Sequence, residues 1–205
     1  MNIIKQIKIY GDSLMKGILM DNHKYSIVKE DNIASLQKIF PLYIDNKSRF
    51  GNTIEQGYEQ IKKDLSKGID CDFVLLEYGG NDCDFHWSDI SADPNSIHMP
   101  NTPIEKFKSI YCEIINLLRS KGITPILMSL PPINAKKYFD WFTQNGLNKE
   151  NILKWLGSID VIYRYQEMYS NTVTKIAFET SSPLVDVRMS FLDKHYPDQY
   201  LCDDG

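Results

Sequence analysis

FVLLEYGGND, residues 73–82, reads as a strand running straight into a turn. Apart from Glu77, Phe73 to Tyr78 is continuously apolar, as a strand covered on both faces is. Gly79-Gly80 then brings the chain round, and Asn81 presents an amide just past the strand's end. A doubly covered strand belongs to a parallel sheet, whose neighbours are joined by crossover helices. Four further short apolar runs supply those neighbours. They are Ile7–Tyr10, a stretch within Leu42–Phe50, Ile123–Leu130 stopped by Pro131-Pro132, and Leu184–Val187 after the turn Ser181-Ser182-Pro183.

Helical patterns fall between these runs. Thr53-Ile54-Glu55-Gln56 reads as a capping box, followed by Ile54, Tyr58, Ile61 and Leu65 at helical spacing. Thr102-Pro103-Ile104-Glu105 reads as a second box with Pro at the first helical position, and Lys121-Gly122 as that helix's stop. Its apolar face is Ile104, Phe107, Ile110, Tyr111, Ile114, Leu117 and Leu118. Further helices are expected near Ala135–Gln144, Lys149–Leu156 and Ser158–Phe178. Strands alternating with helices predict one α/β domain with helices on both faces of a parallel sheet. Ligands of such sheets sit past the carboxyl ends of the strands, so the loops there carry the chemistry.

Three of those loops hold reactive or polarising groups. After Ile7–Tyr10 comes Gly11-Asp12-Ser13-Leu14-Met15-Lys16-Gly17, with Ser13 directly off a buried strand at the start of a helix. A Ser there is placed as a nucleophile, beside N–H groups that favour developing negative charge; it is equally placed as a helix cap. After the second run, Gly51 in Ser48-Arg49-Phe50-Gly51-Asn52-Thr53 lets backbone approach a ligand and offers its N–H, or serves a turn alone. After the third, Asn81 is placed to donate to an oxyanion, or to make an ordinary Gly-Asn turn.

Together the three blocks resemble the SGNH hydrolases, also called the GDSL esterase/lipase family. Gly11-Asp12-Ser13 with Gly17 resembles the first block, Ser48-x-x-Gly51-x-Thr53 the second and Gly79-x-Asn81-Asp82 the third. The resemblance implies a three-layer α/β/α, flavodoxin-like fold with a five-stranded parallel sheet. It implies Ser13 as nucleophile and an oxyanion hole built from the Ser13 N–H, the Gly51 N–H and the Asn81 side chain. Asp12 and Asp82 would brace the loops.

A Ser hydroxyl needs a base, usually a His oriented by a carboxylate. The family's last block reads Asp-x-x-His, and Asp204-Gly205 resembles its start. The His would fall two positions beyond Gly205, with a closing helix after it. The expectation is therefore a single domain over residues 1–205 that lacks the catalytic His and closing helix, with Asp204 as the orienting carboxylate. His195, in Asp193-Lys194-His195-Tyr196, is the alternative base; His23 is expected at the surface.

The long connection from Asp82 to Thr102 has the length of a lid or binding loop. Phe85, His86 and Trp87 are its candidates for lining a substrate pocket. Asp82, Cys83, Asp84 and His86 match no zinc or calcium spacing, so no metal is expected. Four scattered cysteines without C-x-x-C read as free thiols.

The balance of 23 basic and 27 acidic residues, with no basic run, argues against a nucleic-acid surface. No apolar stretch is long enough to span a membrane, and the amino-terminal segment has no secretory pattern, so a cytoplasmic location is expected. The expected activity is hydrolysis of a carboxylic ester or thioester, a small acyl or acetylated-sugar ester, through an acyl-Ser13 intermediate and without a cofactor. The alternative is a non-catalytic binding module with the same pocket. A flavodoxin-like nucleotide binder is disfavoured, because no phosphate-cradling glycine motif follows the first strand.

Overall fold

The computed structural model describes residues 4–22, 24–28 and 31–205. Five parallel strands form one sheet: β1 (Lys5–Gly11), β4 (Leu42–Asn46), β5 (Phe73–Glu77), β6 (Thr124–Met128) and β7 (Leu184–Val185). Their order is β4-β1-β5-β6-β7. The chain leaves β1 for β4 on one side and returns to β5 on the other. The strand order therefore reverses between β1 and β5, where a doubly wound sheet opens its crevice. β5 is central, which explains its apolar run. Its register sets Ile7 beside Phe73 and Gly11 beside Glu77.

Helices cover the sheet: α3 (Ile54–Ser66), α5 (Ile104–Ser120) and α8 (Asp160–Glu179) are the long ones. The capping box at Thr53 forms as read, with the Gln56 side chain accepting from the Thr53 N–H at 2.9 Å. The box read at Thr102 does not form. Pro103 takes the cap position without a side-chain bond, because Thr102 is drawn into the core and its N–H donates to the Asp82 carbonyl at 3.0 Å. α6 (Ala135–Phe142), α7 (Lys149–Leu156) and α8 lie close to the expected ranges. β7 is cut to two residues, because Asp186 caps α9 (Val187–Leu192) by accepting from the Met189 N–H.

The larger departure follows Ser13. Only one helical turn forms, α1 (Ser13–Lys16), and the chain then makes an antiparallel hairpin, β2 (Ile18–Asp21) with β3 (Lys24–Ile27). α2 (Asp31–Ile39) leads back to β4. Neither the hairpin nor α2 was anticipated, since the segment has no strict alternation.

Two apolar clusters hold the layers together. The first joins Val74, Leu76 and Leu127 of the sheet to Ile54, Phe107, Ile114 and Val173 of α3, α5 and α8. The second is aromatic, joining Phe85 and Trp87 to Phe139 and Phe142, with Trp87 stacked on Phe142 at 4.4 Å between centroids. The packing of α3 on the sheet depends on Gly57. A Cβ there would lie 2.3 Å from the Tyr78 ring and hydroxyl, and Tyr78 is fully buried. Gly57→Ala would gain about 1 kcal/mol in helix propensity but lose about 1–3 kcal/mol to overpacking. A net loss is expected as a lower urea midpoint at unchanged slope; an equally stable variant would mean that Tyr78 retreats freely.

Candidate active site

Ser13 occupies the first position of α1, at the carboxyl end of β1. Asp12 caps that turn, its Oδ1 accepting from the Leu14 N–H at 2.8 Å. The Ser13 side chain is half-buried, and among the described residues neither its Oγ nor its N–H has a hydrogen-bond partner. Both are left open for a ligand.

The loop after β4 is pulled to the same place. The Arg49 N–H donates to the Gly11 carbonyl at 3.1 Å, continuing the ladder beyond the strands. Gly51 is exposed at φ 71°, a conformation that favours glycine, and its N–H has no acceptor among the described residues.

The loop after β5 completes the arrangement. Asn81 Nδ2 donates to Asp12 Oδ2 at 3.2 Å and to the Asn52 carbonyl at 3.0 Å. One amide thus ties all three loops together. Its backbone is held separately, Asn101 Nδ2 donating to the Asn81 carbonyl at 2.9 Å. Asp82 fastens this loop to α3, its carboxylate accepting from the Ile54 N–H at 3.0 and 3.2 Å. The bracing expected of Asp12 and Asp82 is visible in these bonds.

The floor beneath is acidic. Asp12, Glu77 and Asp82 are 2%, 0% and 0% exposed, and among the described residues none has an ion-pair partner. Burial pushes all three carboxyls upward. Asp82 rises to about 7 despite the Ile54 N–H. Glu77 rises well above the carboxylate range, from burial first and then from the Asp12 charge beside it. Asp12 is also raised by burial, opposed by the Leu14 N–H. Glu77 was not singled out from sequence, although one acid inside an otherwise apolar buried strand was the available signal.

The chain's last residues cross the same end of the sheet. The Asp203 N–H donates to the Met20 carbonyl at 3.2 Å, and the Asn22 N–H to the Asp203 carboxylate at 2.8 Å. The Asn134 N–H, in the loop after β6, donates to the Gly205 carbonyl at 3.1 Å. Asp204 is half-buried, its carboxyl raised by burial and by Asp203, and its charge acts on the Tyr25 hydroxyl. Among the described residues no hydrogen bond joins Asp204 to Ser13 or to a histidine. Tyr25 itself meets Phe50 edge to face at 5.3 Å, and both are half-exposed beside Gly51.

The remaining candidates lie elsewhere. Phe85 and Trp87 are 5% and 8% exposed, packed into the aromatic cluster, and so offer a substrate little surface. His86 is exposed at the start of α4 (Trp87–Ala92). Asp84 accepts from Trp87 Nε1 at 2.8 Å and from the Tyr138 hydroxyl at 2.7 Å, which occupies it within this packing. His98 Nε2 contacts the Asp93 carbonyl at 2.8 Å, and the exposed His195 ring lies against Tyr196. His23 lies outside the described residues. Among the described residues no group of three or more acidic, His or Cys side chains is arranged to hold a metal, and no helix is long and apolar enough to cross a membrane.

The five-stranded parallel sheet with helices around it is the fold shared with solved lipase/acylhydrolase, acetylxylan esterase and G-D-S-L family structures. The chain is similar to the lipase/acylhydrolase from Enterococcus faecalis, at 16% identity and TM-score 0.64 over 98% of this chain and 85% of that one. It is similar to a catalytic mutant of an acetylxylan esterase from Geobacillus stearothermophilus, at 18% identity and TM-score 0.62 over 97% and 85%. A G-D-S-L family protein from Desulfitobacterium hafniense matches at 16% identity and TM-score 0.55 over 89% and 77%. No family model matches the sequence, and no curated protein matches it.

Proposed function

We propose that this protein is a serine esterase that transfers the acyl group of a small ester or thioester to Ser13 and then to water. The observation that carries this reading is the convergence of Ser13, Gly51 and Asn81 at the β1/β5 switch point. The Asn81 amide ties the loops that carry Ser13 and Gly51, and the Ser13 and Gly51 N–H groups have no acceptor among the described residues. In the reaction Ser13 Oγ adds to the carbonyl carbon, and the carbonyl oxygen takes the electron pair. The Ser13 and Gly51 N–H groups and the Asn81 amide stabilise that oxygen. The Ser proton goes to a base and from it to the leaving alcohol or thiol. Water then repeats the sequence on the acyl-enzyme. In this reading Asp204 orients the base.

Asn81 must release a hydrogen bond to serve the oxyanion. The bond to the neutral Asn52 carbonyl is the one exchanged, while the bond to the Asp12 carboxylate keeps the amide in place. The half-exposed Tyr25–Phe50 pair beside Gly51 offers aromatic surface to the rest of the substrate. A sugar carrying an acetyl group suits such a rim, and one structural neighbour is an acetylxylan esterase. A second reading, a binding module with the same pocket, is favoured by one observation: among the described residues nothing is hydrogen-bonded to Ser13 Oγ.

A p-nitrophenyl phosphonate separates the two. Intact mass should show one phosphonyl adduct, mapped to Ser13 by peptide sequencing, with release of nitrophenolate. A protein that binds acetylated sugars but never takes the adduct would be the binding module.

A further inference from the structure

We propose that Glu77 is a positioning residue, a neutral carboxylic acid whose O–H donates a hydrogen bond to the Asp12 carboxylate and thereby sets the Asn81 amide. This rests on the reading of Asn81 as an oxyanion donor. Glu77 ends β5 and is fully buried. No side chain among the described residues donates to its carboxyl oxygens, and the Asp12 N–H is the one backbone donor that acts on them. The titratable groups that act on it or feel its charge are Asp12 from the β1–α1 turn, Asp82 from the loop after β5, the adjoining Tyr78, and Tyr111 from α5. None of these is a cation.

An ionised carboxylate in that place would be unsolvated, unpaired and beside a second acid. The neutral acid removes all three penalties, and the β1–β5 register, which sets Gly11 beside Glu77, brings the buried Asp12 carboxylate next to it as the acceptor for its O–H. Asp12 then stays an anion with three donors: Glu77, the Leu14 N–H at 2.8 Å and the Asn81 amide at 3.2 Å. Without the Glu77 donor, Asp12 is a poorly supported buried anion that takes up a proton itself. A protonated Asp12 holds the Asn81 amide less well, and the hole loses its fixed third donor.

The sign of the pH effect follows. The unfolded chain releases the Glu77 proton near its ordinary value of 4.5, while the folded chain keeps it well above that. The stability linked to this proton is complete below pH 4.5 and drains away as pH rises towards the folded value. The folded-to-unfolded ratio then falls by about tenfold per pH unit for one retained proton. Asp12 and Asp82 add losses of the same sign.

The test uses the full chain with Glu77→Gln, which keeps a donor and the volume, and Glu77→Leu, which keeps neither donor nor charge. Difference infrared spectra at pH 7 should show a protonated carboxyl band in the parent that is absent in Glu77→Gln. Denaturation titrations from pH 5 to 8 should fall more shallowly in Glu77→Gln by up to one proton's share. The Asn81 side-chain amide resonance should coincide in parent and Glu77→Gln and be displaced in Glu77→Leu or, if that variant fails to fold, in the parent at a pH high enough to ionise Glu77. Parallel pH slopes without the infrared band would overturn the proposal. So would an Asn81 resonance that stays put when the donor or the proton is removed. None of these readouts needs turnover, so failure of the phosphonate adduct would overturn the acyl-transfer reading without deciding this one.

Discussion

Ser13→Ala should lower ester hydrolysis by about 10⁶-fold in kcat in a chain that holds its proton acceptor, to the level that binding and oxyanion donors supply alone, and far less in one that lacks it. The loss is large because the substitution deletes the atom that forms the covalent bond; no neighbouring group takes over. Folding should be unaffected, within about 0.5 kcal/mol. Ser13 Oγ bonds to nothing among the described residues, and the cap of α1 is the Asp12 carboxylate, which the variant keeps. The measurement is the initial rate on p-nitrophenyl acetate together with a thermal melt. A variant that melts with the parent and hydrolyses as fast would remove Ser13 from the chemistry. The same assay on single alanine variants of His23, His86, His98 and His195 finds the base. The one whose loss matches that of Ser13→Ala is the proton acceptor; four active variants place the acceptor outside this set.

Asn81→Ala should lower kcat by about 10²–10³-fold, or roughly 3–4 kcal/mol of transition-state stabilisation, with KM nearly constant. An oxyanion donor acts on charge that exists only in the tetrahedral intermediate, so its removal leaves ground-state binding almost untouched. The loop itself should survive. Its backbone is held through the Asn101 amide at 2.9 Å, and Asp82 still accepts from the Ile54 N–H at 3.0 Å. What the variant does lose in the resting protein is the link between the Asp12 and Asn52 loops, so a small fall in melting temperature should accompany the kinetic loss. A rise in KM at constant kcat would instead assign Asn81 to substrate binding. An unchanged rate would take it out of the mechanism.

Both variants bear on a pocket whose parts are far apart in the chain. Ser13, Gly51 and Asn81 were each read as candidates from their places after an apolar run, and the structure sets all three in loops after strands of the one parallel sheet. That reading works because a parallel sheet gathers the carboxyl ends of all its strands on one side. The central place of Phe73–Glu77 was legible for a related reason: a strand wetted on neither face has no need to alternate. The capping box at Thr53 was legible because its two bonds are local. The one read at Thr102 failed because that residue's backbone was claimed by Asp82, twenty positions earlier.

The structure reassigns other residues through contacts between distant segments. Phe85 and Trp87 look like pocket residues in sequence because they sit in a long polar connection. Their burial comes from Phe139, Phe142 and Trp155, which arrive from helices more than fifty residues later. The β2–β3 hairpin escaped notice because both strands are only four residues long and β2 does not alternate, yet it carries Tyr25 to Phe50 and Met20 to Asp203.

The sequence by itself determined the α/β class, the strand-end residues and the end of the sheet on which the site forms, since each depends on local periodicity and on the parallel topology that periodicity implies. Only the tertiary structure decided that Asp12, Glu77 and Asp82 share one buried space without a cation, and that the Asn81 amide is held between two loops. Electrostatic energies of buried groups depend on which groups become neighbours and on how much water is excluded. Both are set when the layers pack, and neither is written in the spacing of residues along the chain.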